Sequence, residues 1–285
     1  MVDVLLQLSK FKLAAIGSLG FQDDEDDPEI TKRPLSLNIA QLGNFGRVPY
    51  FELPSTTTTF TSSSKYYSAL ANMYLQQRSF QRNQAVHSAD DCRKKYIARQ
   101  LFRKLASEPR LADSEFDLGL FKLWCDDLRP ANVLVDKDHK IAAVIDWELT
   151  YATRADPPLW LLFKAPEDWE AGLDDWAAKY EPILATFLRA LEGKEKEFIE
   201  QGLLKESEIL STRMRESWGS GRFWLTKSES GDFKERLKLL SPDQVDAMEE
   251  FVKRKLEEKE EFSDSIGVNH RDAYTGMVNR LNGAC

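Results

Sequence analysis

The amino-acid sequence predicts an α+β protein that is predominantly helical, with short strands confined to hairpins. Three observations carry that expectation. Apolar residues recur at helical spacing over most of the chain beyond residue 60. The clearest short strand runs, Val133-Leu134-Val135 and Ile141-Ala142-Ala143-Val144-Ile145, flank a single polar turn, Asp136-Lys137-Asp138-His139-Lys140. A chain of 285 residues is also long enough to bury a sizeable core. The expected organisation is an irregular and hairpin-bearing portion over 1–60, ending in a polar linker, followed by a helical unit over 61–285.

Taken in order, Val2 to Leu8 is apolar at helical spacing, with Asp3 in the first turn where it suits the helix dipole. Lys10 and Lys12 interrupt it too early for a secretory leader. The acidic run Gln22 to Glu29 lacks the glycine and terminal glutamate spacing of a calcium loop, so it reads as a solvated hairpin tip, with Ile30 to Leu37 as the returning strand. Ser55 to Ser64 is a polar linker that offers an N-cap to an amphipathic run from Tyr66 to about Arg82. A second helix, Asp90 to Ser107, gathers Cys92, Tyr96, Ile97, Leu101, Phe102 and Leu105 near one face and turns a basic face to solvent. After residue 148 the pattern is nearly all helical. Pro182 is expected to start or kink a helix holding Ile183, Leu184, Phe187, Leu188 and Leu191, and Ile209, Leu210, Met214 and Trp218 mark another. A last, highly charged helix is expected from Pro242 to about Phe262. Trp169, Trp176 and Tyr180 read as core of the helical unit, since large aromatics dominate burial.

Composition excludes several functions. With 39 Lys and Arg against 47 Asp and Glu, the net charge of −8 argues against nucleic acid, whose phosphates need a basic surface. No stretch resembles a membrane anchor. Three Cys, spread over Cys92, Cys125 and Cys285, do not make a disulfide framework and point to a reducing, cytoplasmic setting. Nor does any Cys/His grouping have zinc spacing. Cys125 is a poor nucleophile candidate, because the neighbouring Asp126 and Asp127 disfavour its thiolate.

The functional signal is Trp124-Cys125-Asp126-Asp127-Leu128-Arg129-Pro130-Ala131-Asn132, followed by Ile145-Asp146-Trp147-Glu148. An Asp precedes an Asn by five residues, and the intervening hairpin folds the chain back so that a second Asp returns towards that Asn. Phosphoryl transfer leaves a protein little covalent work beyond positioning a hydroxyl and neutralising charge with Mg²⁺. Asp127 suits the acceptance of a hydroxyl proton, while Asn132 and Asp146 offer hard oxygens to Mg²⁺.

On these residues the chain resembles the aminoglycoside phosphotransferase and choline kinase-like family, relatives of the protein kinases, whose catalytic loop reads His-Gly-Asp-Leu-x-x-x-Asn with a later Ile-Asp-Trp/Phe-Glu. The resemblance implies a protein kinase-like C-terminal lobe with a short β-hairpin catalytic region, its loop at 124–132 and its metal motif at 145–148. By that resemblance Asp127 is the catalytic base, Arg129 faces the transferring phosphate, and Asn132 and Asp146 hold Mg²⁺ and through it ATP, with a small-molecule hydroxyl as acceptor. Cys125 replaces the family's His and Asp126 its Gly, as in a fungal branch of the family. Asp156-Pro157 fits the family's Gly-Asp-Pro, but Trp160 stands where a further Asp is usual. The segments around Asp3 to Ser9 and Ile16 to Leu19 resemble those that follow the family's nucleotide-binding lobe, so only a remnant N-terminal portion is expected. No Gly-rich phosphate loop or Gly-x4-Gly-Lys-Ser/Thr precedes the catalytic loop, and Gly219-Ser220-Gly221 falls after it. Two functions follow: an ATP- and Mg²⁺-dependent phosphotransferase, or a catalytically inactive kinase-like fragment serving as a binding or scaffold module.

Overall fold

The computed structural model describes residues 1–20, 29–44, 48–81, 86–108, 111, 117–154, 156–162, 169–221, 223 and 239–261. The architecture is α+β and mainly helical, with three two-stranded antiparallel pairs. Helix α1 (Val2–Leu8) buries Leu5 and Leu6 and packs on helix α5 (Leu173–Glu200) and strand β3 (Lys122–Cys125). Strand β1 (Ser18–Gly20) pairs with β2 (Glu29–Lys32). The acidic tip between them falls at 21–28, outside the described residues. Bridges Leu13 to Phe121 and Gly17 to Ala152 stitch the start of this hairpin onto the central pair of β3 and β6 (Thr150–Thr153), and a third bridge ties Ile16 to Phe60. Gly17 is needed there: a Cβ would lie 2.6 Å from the Lys32 carbonyl oxygen and 2.7 Å from the Ile30 side chain.

The strand expected to run to Leu37 stops at Lys32. Pro34 has no N–H to donate to a ladder, and Ser36 begins helix α2 (Leu37–Asn44) by accepting the Ile39 N–H on its hydroxyl. Helices α3 (Ser63–Phe80) and α4 (Ala89–Ser107) form where the apolar spacing places them, each with a serine N-cap: Ser62 accepts from the Lys65 N–H and Ser88 from the Asp91 N–H. They pack side by side, and Tyr74 meets Phe102 edge to face. The basic face of α4 is only partly solvated, because the Arg93 guanidinium grips both carboxylate oxygens of Glu249 and Arg99 lies over the Tyr74 ring.

Of the two expectations for Pro182, a helix start does not hold, since it lies within the 28-residue α5. Apolar side chains on both sides of it hold the helix: Trp176, Tyr180, Leu184, Leu188 and Leu191 are buried along one face at helical spacing. That tertiary burial outweighs the hydrogen bond a proline removes. Trp176 and Tyr180 stack at 4.5 Å as core, as their apolar bulk predicts. Helix α6 (Leu210–Gly219) packs on α5, and helix α7 spans 242–261.

Residues from both sides of position 60 share one main core, including Leu5, Ile16, Leu42, Phe60, Leu70, Trp124 and Tyr180. A second, smaller core joins Val86, Cys92 and Ile97 to Met248 and Val252 of α7. Among the described residues no helix is long and apolar enough to cross a membrane.

Candidate active site

All four residues of β3 are buried, so the chain enters the loop that follows, Asp126 to Asn132, from the centre of the molecule. Leu128, fully buried, pins the loop to the core, while Asp127 stays half-buried and Arg129 exposed. A tight turn closes around it, with the Arg129 N–H donating to the Asp127 carbonyl at 2.7 Å. Pro130 then opens a short 3₁₀ turn, Pro130–Asn132, where its missing N–H costs nothing. Asn132 ends that turn, buried, and its amide nitrogen donates to the Asp127 carbonyl oxygen at 2.9 Å and to Asp127 Oδ2 at 3.0 Å.

Those two bonds fix the amide's direction. Both partners are acceptors, so the NH₂ end must face Asp127 and the Oδ1 oxygen must face away from it. Strands β4 (Val133–Val135) and β5 (Ile141–Val144) pair antiparallel, and Asp136 accepts the Asp138 and Lys140 N–H groups to shape the turn. The return is completed when the Ile145 N–H donates to the Asn132 carbonyl at 2.9 Å, which sets Asp146 beside Asn132. Asp146 is exposed and adopts φ 60°, a left-handed conformation that Asp tolerates better than most residues. The Trp147 indole N–H donates to the Val144 carbonyl within its own segment, and the Asp126 N–H donates to the Leu149 carbonyl, a second tie between the two motifs beside that from Ile145 to Asn132.

Cys125 also has a part in this. Its thiol points at the Asp146 carbonyl oxygen at 3.9 Å, a weak bond that spans the two motifs. Burial pushes the Cys125 thiol up, with smaller contributions from the charges of Asp126 and Asp127. The direction agrees with the expectation from its acidic neighbours, but desolvation is the larger cause. Arg129 lies against Asp127, with Nε 3.2 Å from Oδ1, and half of its side chain is in water. Farther out, Asp156 accepts the Ser217 hydroxyl at 2.9 Å, anchoring the segment after β6 to α6.

The sequence-derived residues therefore come together as a group: Asp127, Arg129 and Asn132 by direct bonds, and Asp146 through the backbone of its neighbour. Among the described residues no cluster of three or more His, Cys, Asp and Glu gathers at metal spacing. The donors on offer are one amide oxygen and one carboxylate. That set fits Mg²⁺, which keeps several waters and takes the rest of its shell from substrate phosphates.

Sequence reading missed a small cavity of about 70 Å³ next to the loop, lined by Tyr66, Tyr67, Trp124, Asp126, Tyr151 and Trp160 among others. Burial pushes the Tyr66 and Tyr151 phenols well above their ordinary range, with the Asp126 charge adding to it, so both stay neutral. The available signal was weak: Tyr66 and Tyr67 lie more than fifty residues before the loop, and only the fold brings them together. No family model, no curated protein and no solved structure matches the chain.

Proposed function

We propose that this protein is an ATP- and Mg²⁺-dependent phosphotransferase of the kinase-like type, passing the γ-phosphoryl group to a small-molecule hydroxyl in a cytoplasmic setting. The observation that carries the reading is the pair of hydrogen bonds from the Asn132 amide to Asp127. They hold a carboxylate in place and leave the Asn132 amide oxygen turned away from it, on a residue whose backbone carbonyl receives the Ile145 N–H just before Asp146.

In this reading Asp127 orients the acceptor hydroxyl and accepts its proton as the oxygen attacks phosphorus. Asn132 Oδ1 and the Asp146 carboxylate hold Mg²⁺, which when bound neutralises charge on the phosphate oxygens. Arg129, half in solvent and resting on Asp127, has the reach to turn its fork onto the transferring phosphate. Beside these polar groups the hairpin leaves Leu134, Val135, Ile141 and Trp147 exposed, an apolar surface suited to the flat face of a purine.

The same exposed hairpin supports the second reading, a non-catalytic kinase-like module that binds a partner through this surface. Titration calorimetry with Mg²⁺-ATP separates the two. Phosphotransferase chemistry requires saturable binding that Asp146→Ala abolishes, together with ADP release that Asp127→Ala abolishes. ATP binding by neither protein nor variant sinks the first reading, while binding without turnover in the presence of varied alcohols favours the second.

A further inference from the structure

Asp127 meets a partner at each of its carboxylate oxygens, and the two partners differ in kind. Oδ2 accepts the Asn132 amide at 3.0 Å, from a residue only 4% exposed. Oδ1 lies 3.2 Å from Arg129 Nε, on a side chain that is 56% exposed. The first contact is locked into the fold. The second stands largely in water, where an ion pair contributes little and its members part easily.

The local backbone explains why Arg129 lies there. Its N–H donates to the Asp127 carbonyl at 2.7 Å, and this tight turn brings the two side chains together on one short loop. Pro130 then holds Arg129 extended, at φ −93° and ψ 159°, the conformation a residue before proline prefers. The backbone of Arg129 is therefore fixed, and its side chain alone is free to swing. The approach to Asp127 is through Nε, and a guanidinium carries further N–H groups at the end of its fork, where two parallel bonds to phosphate oxygens form.

The two contacts leave Asp127 with one outward oxygen, and that oxygen is covered. Oδ2 is committed to a buried amide, so Oδ1 is the oxygen through which Asp127 meets a substrate hydroxyl, and Arg129 occupies that approach. A charge-assisted, two-pronged bond to phosphate is stronger than a single contact to a carboxylate half in water. We infer that Arg129 is a phosphate-operated latch on Asp127: at rest it covers the carboxylate, and it swings onto a phosphate chain held at Asn132 and Asp146, so that the phosphoryl donor binds before the hydroxyl reaches Asp127. This regulation of the site rests on the phosphotransferase reading.

The test is a pulse of excess carbodiimide with glycinamide on the full chain, which turns accessible carboxylates into amides, followed by peptide mass spectrometry of Asp127 and Asp146. Without ligand, Arg129→Ala is expected to raise the labelling of Asp127 about two- to fivefold, the span of a partly solvated ion pair, and to leave Asp146 unchanged. Arg129→Lys keeps the charge without the fork and gives a smaller rise. Inorganic tripolyphosphate with Mg²⁺ is expected to raise Asp127 labelling in the unsubstituted protein towards the Arg129→Ala level, with no further rise in that variant. Asp146 reports separately on the reading beneath the latch, since a phosphate chain and Mg²⁺ held there protect it from labelling. Protection of Asp146 with Asp127 unchanged overturns the latch and leaves the phosphotransferase reading standing. Equal labelling of Asp127 in the unsubstituted protein and in Arg129→Ala overturns the latch whatever Asp146 does. If tripolyphosphate with Mg²⁺ alters neither carboxylate, the latch falls together with the reading it rests on.

Discussion

Asn132 is almost inaccessible to water and spends its amide N–H groups on Asp127, so its replacement disturbs the loop whatever the loop's chemistry. Asn132→Ala is expected to destabilise the fold by about 1–3 kcal/mol in urea unfolding, since the Asp127 acceptors lose their buried donor. Asn132→Asp is expected to cost more, because it sets a second carboxylate against Asp127. A different residue pair gives a pH prediction. The hydrogen bond from Lys12 holds the Glu208 carboxyl below its ordinary value, outweighing the opposing effect of burial. A depressed folded-state value means that the pair contributes stability above the unfolded glutamate pKa and loses it as pH falls through the folded one. Thermal melts of the protein and of Lys12→Met should therefore differ near neutrality and converge in acid. The site residues were legible in the sequence because their spacing is local: five residues fix Asp127 relative to Asn132, and one hairpin fixes Asp146. The sulfur bond from Cys125 was not, because it depends on where a left-handed backbone turns the Asp146 carbonyl.

At the scale of elements, helix periodicity gave α3, α4 and α6 within a few residues, while their long-range supports stayed hidden. Helix α6 is the clearest instance. Its N-cap position is Ile209, which has no acceptor to offer the first N–H groups. Glu195, near the C-terminal end of α5 and buried to 2% exposure, supplies it instead, accepting the Leu210 N–H at 2.6 Å, the Ser211 N–H at 3.1 Å and the Ser211 hydroxyl. Nothing in the pattern around Ile209 announces a cap fifteen residues away. Glu195→Ala is expected to cost about 1–3 kcal/mol and to speed hydrogen exchange at the start of α6, with Glu195→Gln keeping part of the protection. Pro182 shows a limit of local reading of another kind: it does not start its helix, because the burial of Tyr180 and Leu184 on either side carries α5 through it despite the hydrogen bond it removes.

Across the whole molecule the two cores suggest two levels of stability. Helix α7 rests on the smaller core and on polar ties: Lys255, buried, donates to the Ser79 and Gln81 carbonyls at the end of α3, and Glu249 holds Arg93 of α4. Met248→Ala should remove about 2–5 kcal/mol of that packing, and amides of α7 should then exchange well before those of α5. An acidic, helical chain of this size was legible from composition and period; the joining of residues 1–60 to the main core was not, because it runs through isolated bridges such as Leu13 to Phe121 and Gly17 to Ala152. The thiol of Cys125 gives this hierarchy a clock. It is free, buried and weakly tied across the two motifs, so a thiol reagent reaches it only when the loop lifts off the core, and its alkylation, followed by mass spectrometry, measures the frequency of that opening. A ligand that fastens Asn132 to Asp146 slows the labelling, and one that leaves it unchanged acts elsewhere.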